Sequence, residues 1–164
     1  MKRILLIDDS LIQLRTLNML LQGKYEVLMS TTGYDGISIA KRERPDLILL
    51  DYNMPILSGR DAFKKLQEKE ETRDIPVIFL TGVDEREEVE EVLKLRPQGY
   101  LLKPVENDLL FKKIDKILAA QEAKLASASV SEEEAEDKSE GKSEDKSEDE
   151  FGLGSGLNFK TGGE

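Results

Sequence analysis

Neither cysteine nor histidine occurs in the 164 residues, and tryptophan is missing as well. Without cysteine there is no disulfide framework and no thiolate metal site. Without histidine the chain lacks the commonest general base, the usual zinc ligand and any phosphohistidine role of its own. No apolar run approaches the length needed to span a bilayer. The short apolar stretch after Met1 turns acidic at Asp8, which does not fit a signal peptide. A soluble, cytoplasmic protein is expected, with no membrane insertion. An excess of positive charge is lacking too, which argues against nucleic acid as a partner.

What charge there is divides the chain. Residues 1–120 carry 19 Lys and Arg against 21 Asp and Glu, whereas residues 121–164 carry 5 against 13. The near-neutral body is long enough for one core. The acidic tail is built on Asp137-Lys138-Ser139-Glu140, Gly141-Lys142-Ser143-Glu144 and Asp145-Lys146-Ser147-Glu148. This four-residue period sets like charges at i and i+4, which disfavours a helix, and disorder is expected. Two domains follow: a body, 1–120, and a tail, 121–164. The tail ends in a glycine-rich segment bearing Phe151, Leu153, Leu157 and Phe159, which could dock in a groove.

Within the body, apolar runs alternate with helical periodicity. Ile4–Ile7, Tyr25–Met29, Leu47–Leu50, Val77–Leu80 and Gly99–Leu102 read as strands, the third as one buried on both faces. Ser10 can cap a helix with Leu14, Leu17 and Leu21 on one side, ended by Gly23. Further helices are expected at 34–43, at about 60–69, at 84–95 with Val89, Val92, Leu93 and Leu95 as its apolar contribution, and after Pro104. Thr81-Gly82 reads as a turn. Five strand–helix alternations with short connections call for a parallel sheet covered on both faces. Right-handed crossovers then place all strand C-termini along one rim. Asp8, Asp9, Asp51, Thr81 and Lys103 each lie just past a different apolar run or beside one another at its end, so they gather there.

Three carboxylates on one rim repel unless a cation or a proton intervenes. Mg²⁺ suits such a site, because it takes one or two carboxylates, a carbonyl and water. Asp51 could then act as a nucleophile toward phosphorus, with Thr81 and Lys103 neutralising the phosphoryl oxygens. Taken singly, each of these residues is as well explained as a helix-start acid, a turn hydroxyl or a surface charge. Together on one rim they describe a site.

The stretches Leu6-Ile7-Asp8-Asp9-Ser10, Arg44 to Pro55 around Asp51, Asp74 to Gly82 and Gly99-Tyr100-Leu101-Leu102-Lys103-Pro104 resemble the receiver domain of two-component response regulators. The resemblance covers residues 1 to about 120. It implies a flavodoxin-like, doubly wound sheet of five parallel strands in the order 2-1-3-4-5. It implies that Asp51 accepts a phosphoryl group from a phosphohistidine on a sensor histidine kinase or phosphotransfer protein. It also implies that Asp9, Asp51 and the Asn53 carbonyl hold Mg²⁺, with Asp8 acting largely through water. Lys103 would pair with the phosphoryl oxygens, Lys103–Pro104 would be cis, and Thr81 and Tyr100 would move on phosphorylation. Such a protein is a phosphoacceptor switch rather than an enzyme.

The sequence departs from the family pattern at Gly82, where alanine is usual, and at Arg96-Pro97-Gln98, where small residues are common. Asn53 and Val83 occupy variable positions that tune dephosphorylation. With no effector domain apparent, the expectation is a stand-alone regulator. Its output would be binding of a target or a second copy through the 84–118 face, where Glu85, Glu87, Glu88, Glu90 and Glu91 oppose Lys112, Lys113 and Lys116. Two alternatives remain at this point. A haloacid-dehalogenase-type phosphatase uses similar parts but needs an acid where this chain has Asn53. A phosphorylation-independent binding module would be marked by loss of one of the site residues.

Overall fold

The computed structural model describes residues 1–82 and 86–127. Val83, Asp84, Glu85 and the tail from 128 onward lie outside the described residues, so the expectations placed on Val83, Glu85, Phe151, Leu153, Leu157 and Phe159 do too. One compact unit runs Met1–Gln121, and residues 122–127 of the second, Glu122–Glu164, are helical.

In the compact unit, strands β1 (Arg3–Ile7), β2 (Glu26–Ser30), β3 (Leu47–Asp51), β4 (Val77–Gly82) and β5 (Gly99–Lys103) alternate with helices. These helices are α1 (Leu11–Leu21), α2 (Gly33–Glu43), α3 (Gly59–Glu68), α4 (Arg86–Leu95) and α5 from residue 107. All strand pairs are parallel, in the order β2-β1-β3-β4-β5. This is the doubly wound, flavodoxin-like arrangement.

Because side chains alternate across a strand, the apolar runs feed two cores. Leu5, Ile7, Ile48, Leu50, Val77 and Phe79 pack with Ala40 of α2, with Ala62, Phe63 and Leu66 of α3, and with Val92 of α4. Their neighbours Ile4, Leu6, Leu47, Leu49, Ile78 and Leu80 pack with Leu14, Leu17 and Leu21 of α1 and with Leu110, Ile114 and Leu118 of α5. Continuous aliphatic runs are needed because both faces of the sheet are buried. Each large side chain so buried contributes roughly 1.5–3 kcal/mol.

Three corrections concern local structure. Gly23 does not close α1; Gln22 does, in a right-handed conformation with its N–H on the Asn18 carbonyl. The left-handed positions fall instead on Arg44 (φ 45°) and Arg96 (φ 56°), each directly before a proline that prevents the helix from continuing. Thr81 and Gly82 are not a turn: they remain in β4, paired with Leu102 and Lys103. The strand outlasts its apolar run because β5 supplies partners as far as Lys103. On α4 only Val92 is buried, while Leu93 is 55% exposed.

At the N-terminal edge of the sheet, Arg3 joins four segments. Its guanidinium contacts the Glu43 carboxylate at 2.9 Å and the Glu26 carboxylate at 3.5 Å, and its backbone N–H donates to Asp46 Oδ2 at 2.8 Å.

Candidate functional site

The opposite, C-terminal edge carries the chemistry. β1 runs into Asp8, β3 ends on Asp51, and β4 and β5 carry Thr81 and Lys103 as their last or next-to-last residues. Lys103 Nζ lies 2.6 Å from Asp51 Oδ1 and 3.6 Å from Asp8 Oδ2. Carboxylate oxygens of Asp8, Asp9 and Asp51 all lie within 4.8 Å of one another. Asp8 and Asp51 are buried, whereas Asp9 faces solvent.

The electrostatics follow from this crowding. Burial pushes the Asp51 carboxyl up to about 6, against the hydrogen bond from Lys103, and the charges of Asp8 and Asp9 push the same way as burial. For Lys103, burial acts downward but is outweighed by Asp51 and Asp8, so its pKa is raised. One Asp8 oxygen, Oδ1, accepts the Ser10 N–H at 2.9 Å, while buried Oδ2 has no hydrogen-bond partner. A buried carboxylate oxygen without a donor normally costs stability. An all-oxygen set with such an open lone pair fits a hard divalent cation.

Two backbone features shape the rim. Gly59 N–H donates to the Tyr52 carbonyl at 2.8 Å, and a Cβ at Gly59 would lie 2.2 Å from the Asp51 carbonyl oxygen. Only glycine lets α3 start this close to the end of β3. Beyond it, the β3–α3 loop holds Ile56 at φ 70° with the side chain 92% exposed. The Lys103–Pro104 bond is cis.

Thr81 is buried, and its hydroxyl donates to Glu88 Oε2 at 3.0 Å. Asn53 Nδ2 donates to the other oxygen of Glu88 at 2.6 Å. Tyr52 donates its hydroxyl to Glu91, and burial first, then this bond, raises the tyrosine pKa. Tyr100 is half-buried against the core shared with α2–α4, with Lys113 Nζ 5.8 Å from its ring centre. By sequence alone Glu88 and Glu91 belong with the surface charge of α4, and nothing marks Tyr52 or Gly59 as part of the site. Their only sequence signal was three-residue spacing of the two acids on one helix, which does not reveal what that face meets.

A doubly wound parallel sheet whose C-terminal rim sets three carboxylates beside a half-buried lysine and a buried hydroxyl places the chain among the flavodoxin-like α/β proteins. The family comparison is specific: residues 4–115 match the model for the response regulator receiver domain. The chain belongs to that family, and so to two-component signalling. It is 37% identical over 120 residues to protein PilH of Pseudomonas aeruginosa, covering 73% of this chain and 99% of PilH. A receiver domain protein from Clostridium thermocellum has a TM-score of 0.70 at 28% identity, covering 75% of this chain and 98% of that one. The receiver domain of the P. aeruginosa sensor histidine kinase PA1611, solved with magnesium in its active-site cleft, has a TM-score of 0.68 at 27% identity, with coverage of 72% and 98%. Among the described residues, no helix is long and apolar enough to cross a membrane.

Proposed function

We propose that this chain is a magnesium-dependent phosphoacceptor of a two-component relay, with Asp51 as the residue modified. The observation that carries the reading is the placement of Lys103 between Asp51 and Asp8, beside a buried Asp8 oxygen that lacks a donor. Magnesium, held by Asp8, Asp9, Asp51 and the Asn53 carbonyl, would neutralise the crowded carboxylates and the incoming phosphoryl oxygens. That a relative of similar fold was solved with magnesium in its cleft supports this choice of ion.

The donor is a phosphohistidine of a kinase or phosphotransfer protein. An Asp51 oxygen attacks phosphorus, the P–N bond breaks, and the departing imidazole keeps the electron pair and takes up a proton. Lys103 shifts its hydrogen bond from the Asp51 carboxylate to a phosphoryl oxygen, balancing charge as the group transfers. Thr81 turns its hydroxyl to a second phosphoryl oxygen, and Tyr100 follows inward. Hydrolysis of the acyl phosphate resets the site, so the chain catalyses only its own phosphorylation and dephosphorylation.

The output is protein contact through α4, β5 and α5, in the cytoplasm. Three exposed apolar side chains support this, one per element: Leu93 at 55%, Leu102 at 42% and Leu109 at 47%. The same helices carry exposed Glu87, Glu90 and Glu91 on α4 and exposed Lys112 and Lys116 on α5. The partner is a downstream protein or a second copy of this chain. The acidic tail, 121–164, is read as a segment separate from the 1–120 receiver.

The test is incubation with acetyl phosphate and Mg²⁺, followed by intact mass measurement. One added phosphate should appear in the wild type with metal, and none without metal or in Asp51→Asn. Labelling of Asp51→Asn to the wild-type extent would refute the assignment. Sedimentation with beryllofluoride separates the outputs: no change in mass excludes the second copy as partner.

A further inference from the structure

Glu88 is the strongest feature of the site that the phosphoacceptor chemistry leaves unused. Its two oxygens accept from two different segments: Oε2 from the Thr81 hydroxyl at the end of β4, and Oε1 from the Asn53 amide just past β3. One turn later Glu91 accepts the Tyr52 hydroxyl. The first turns of α4 therefore hang on the site by three side-chain hydrogen bonds to carboxylates, the stronger, charge-assisted kind. Its apolar anchorage is small by comparison: Val92 is the one fully buried side chain of α4, and Leu95 packs half-buried against the same core. α4 is thus tied to the sheet chiefly through residues adjoining Asp51.

The Thr81 hydroxyl has a single proton to donate. It serves Glu88 or an oxygen on Asp51, and not both. The Asn53 amide, two residues from Asp51, is under the same constraint in part, because one of its protons is committed to Glu88.

We propose that Glu88 is a positioning residue that competes, from within the chain, for the Thr81 proton. With Asp51 unmodified, Glu88 holds Thr81 turned away and clamps α4 to the rim. A phosphoryl group that captures the Thr81 hydroxyl removes one of the bonds Glu88 accepts and adds negative charge at the rim, so the clamp opens and α4 is released. Coupling between two such states is reciprocal. Whatever strengthens the Glu88 bonds weakens binding of a phosphoryl group, and a partner that takes hold of released α4 prolongs the phosphorylated state. The trigger rests on the phosphoacceptor reading, whereas the clamp itself does not.

The experiment has two independent arms. Beryllofluoride, in the presence of Mg²⁺, is titrated against wild type, Glu88→Gln and Glu88→Ala. Loss of one charge-assisted hydrogen bond is worth about tenfold in an equilibrium constant. Glu88→Ala should therefore bind about tenfold more tightly than wild type, and Glu88→Gln, which keeps one carbonyl acceptor, should fall between. In a Thr81→Val background the gain from Glu88→Ala should vanish. A gain of equal size in that background would mean a merely structural role and would overturn the proposal, as would no gain at all.

The second arm needs neither metal nor phosphoryl mimic. Amide exchange across Arg86–Leu95 should rise about tenfold in Glu88→Ala while β1 and β3 stay protected. Unchanged exchange in α4 overturns the clamp. Should the wild type bind no beryllofluoride and accept no phosphate, the phosphoacceptor reading falls, and the exchange arm alone decides whether Glu88 holds α4.

Discussion

A Cβ placed on Gly59 would stand 2.2 Å from the Asp51 carbonyl oxygen and 2.7 Å from the Tyr52 Cα, both backbone atoms that cannot swing aside. The first turn of α3 is therefore pressed directly against the end of the strand that carries the proposed phosphoacceptor. Gly59→Ala must push the two apart, at the cost of the Gly59–Tyr52 hydrogen bond of 2.8 Å. A loss of roughly 1–3 kcal/mol is expected for such overpacking, read as a lower urea midpoint. Labelling by acetyl phosphate should fall with it, since Asp51 sits on the displaced backbone. A variant of unchanged midpoint and full labelling would show that the contact yields freely.

Burial outweighs the Lys103 salt bridge at Asp51, so its carboxyl makes stability depend on pH in a direction opposite to that of an aspartate whose pKa is lowered on folding. Its pKa rises from 3.8 to about 6 on folding, chiefly through burial. Between those values the folded protein keeps a proton that the unfolded chain has given up. The associated stability is fully present below pH 4 and lost as the pH rises through about 6. At 1.36 kcal/mol per unit, this single group is worth at most about 3 kcal/mol. Asp51→Asn should therefore gain on the metal-free wild type as the pH is raised from 4 to 7, in paired denaturation curves. Mg²⁺ affinity of the wild type should rise over the same window as the proton leaves. A stability difference that is flat with pH would rule out the raised carboxyl.

Ile56 holds a left-handed backbone conformation that a β-branched residue rarely adopts, and it does so with its side chain almost wholly in solvent. Nothing is gained from packing to offset the strain, which is of order 1–2 kcal/mol for an L-residue. Ile56→Asn should raise stability by about 1 kcal/mol without altering phosphate labelling by acetyl phosphate. If transfer from a cognate histidine kinase drops in the same variant, the exposed side chain is retained for docking. A fall in stability would show that the loop is not strained.

Much of this was legible beforehand, and for definite reasons. The double-faced burial of β1, β3 and β4 shows in unbroken runs such as Leu47–Leu50, and the alternation of strand and helix leaves few topologies open. Convergence of Asp8, Asp51, Thr81 and Lys103 follows from that topology, because strand ends of a parallel sheet share an edge. What was hidden depends on partners distant in sequence. Thr81-Gly82 looks like a turn until β5 is known to reach Lys103. Gly23 looks like a helix stop, yet the chain turns at Gln22 without a left-handed residue. Glu88 and Glu91 look like solvated charges until the first meets Thr81 and Asn53 and the second meets Tyr52. Periodicity announces which face of a helix is greasy, and α4 is held by its polar one.

The Arg3 cluster lies at the other end of the same strands from Asp51, about five residues or some 17 Å away along the pleat. The sheet is thus riveted at one pole and reactive at the other. Lesions at the two poles, separated by more than the reach of direct coupling, should add as independent quantities. The rim is accordingly open to wholesale exchange of its loops, with the architecture vouched for from beneath.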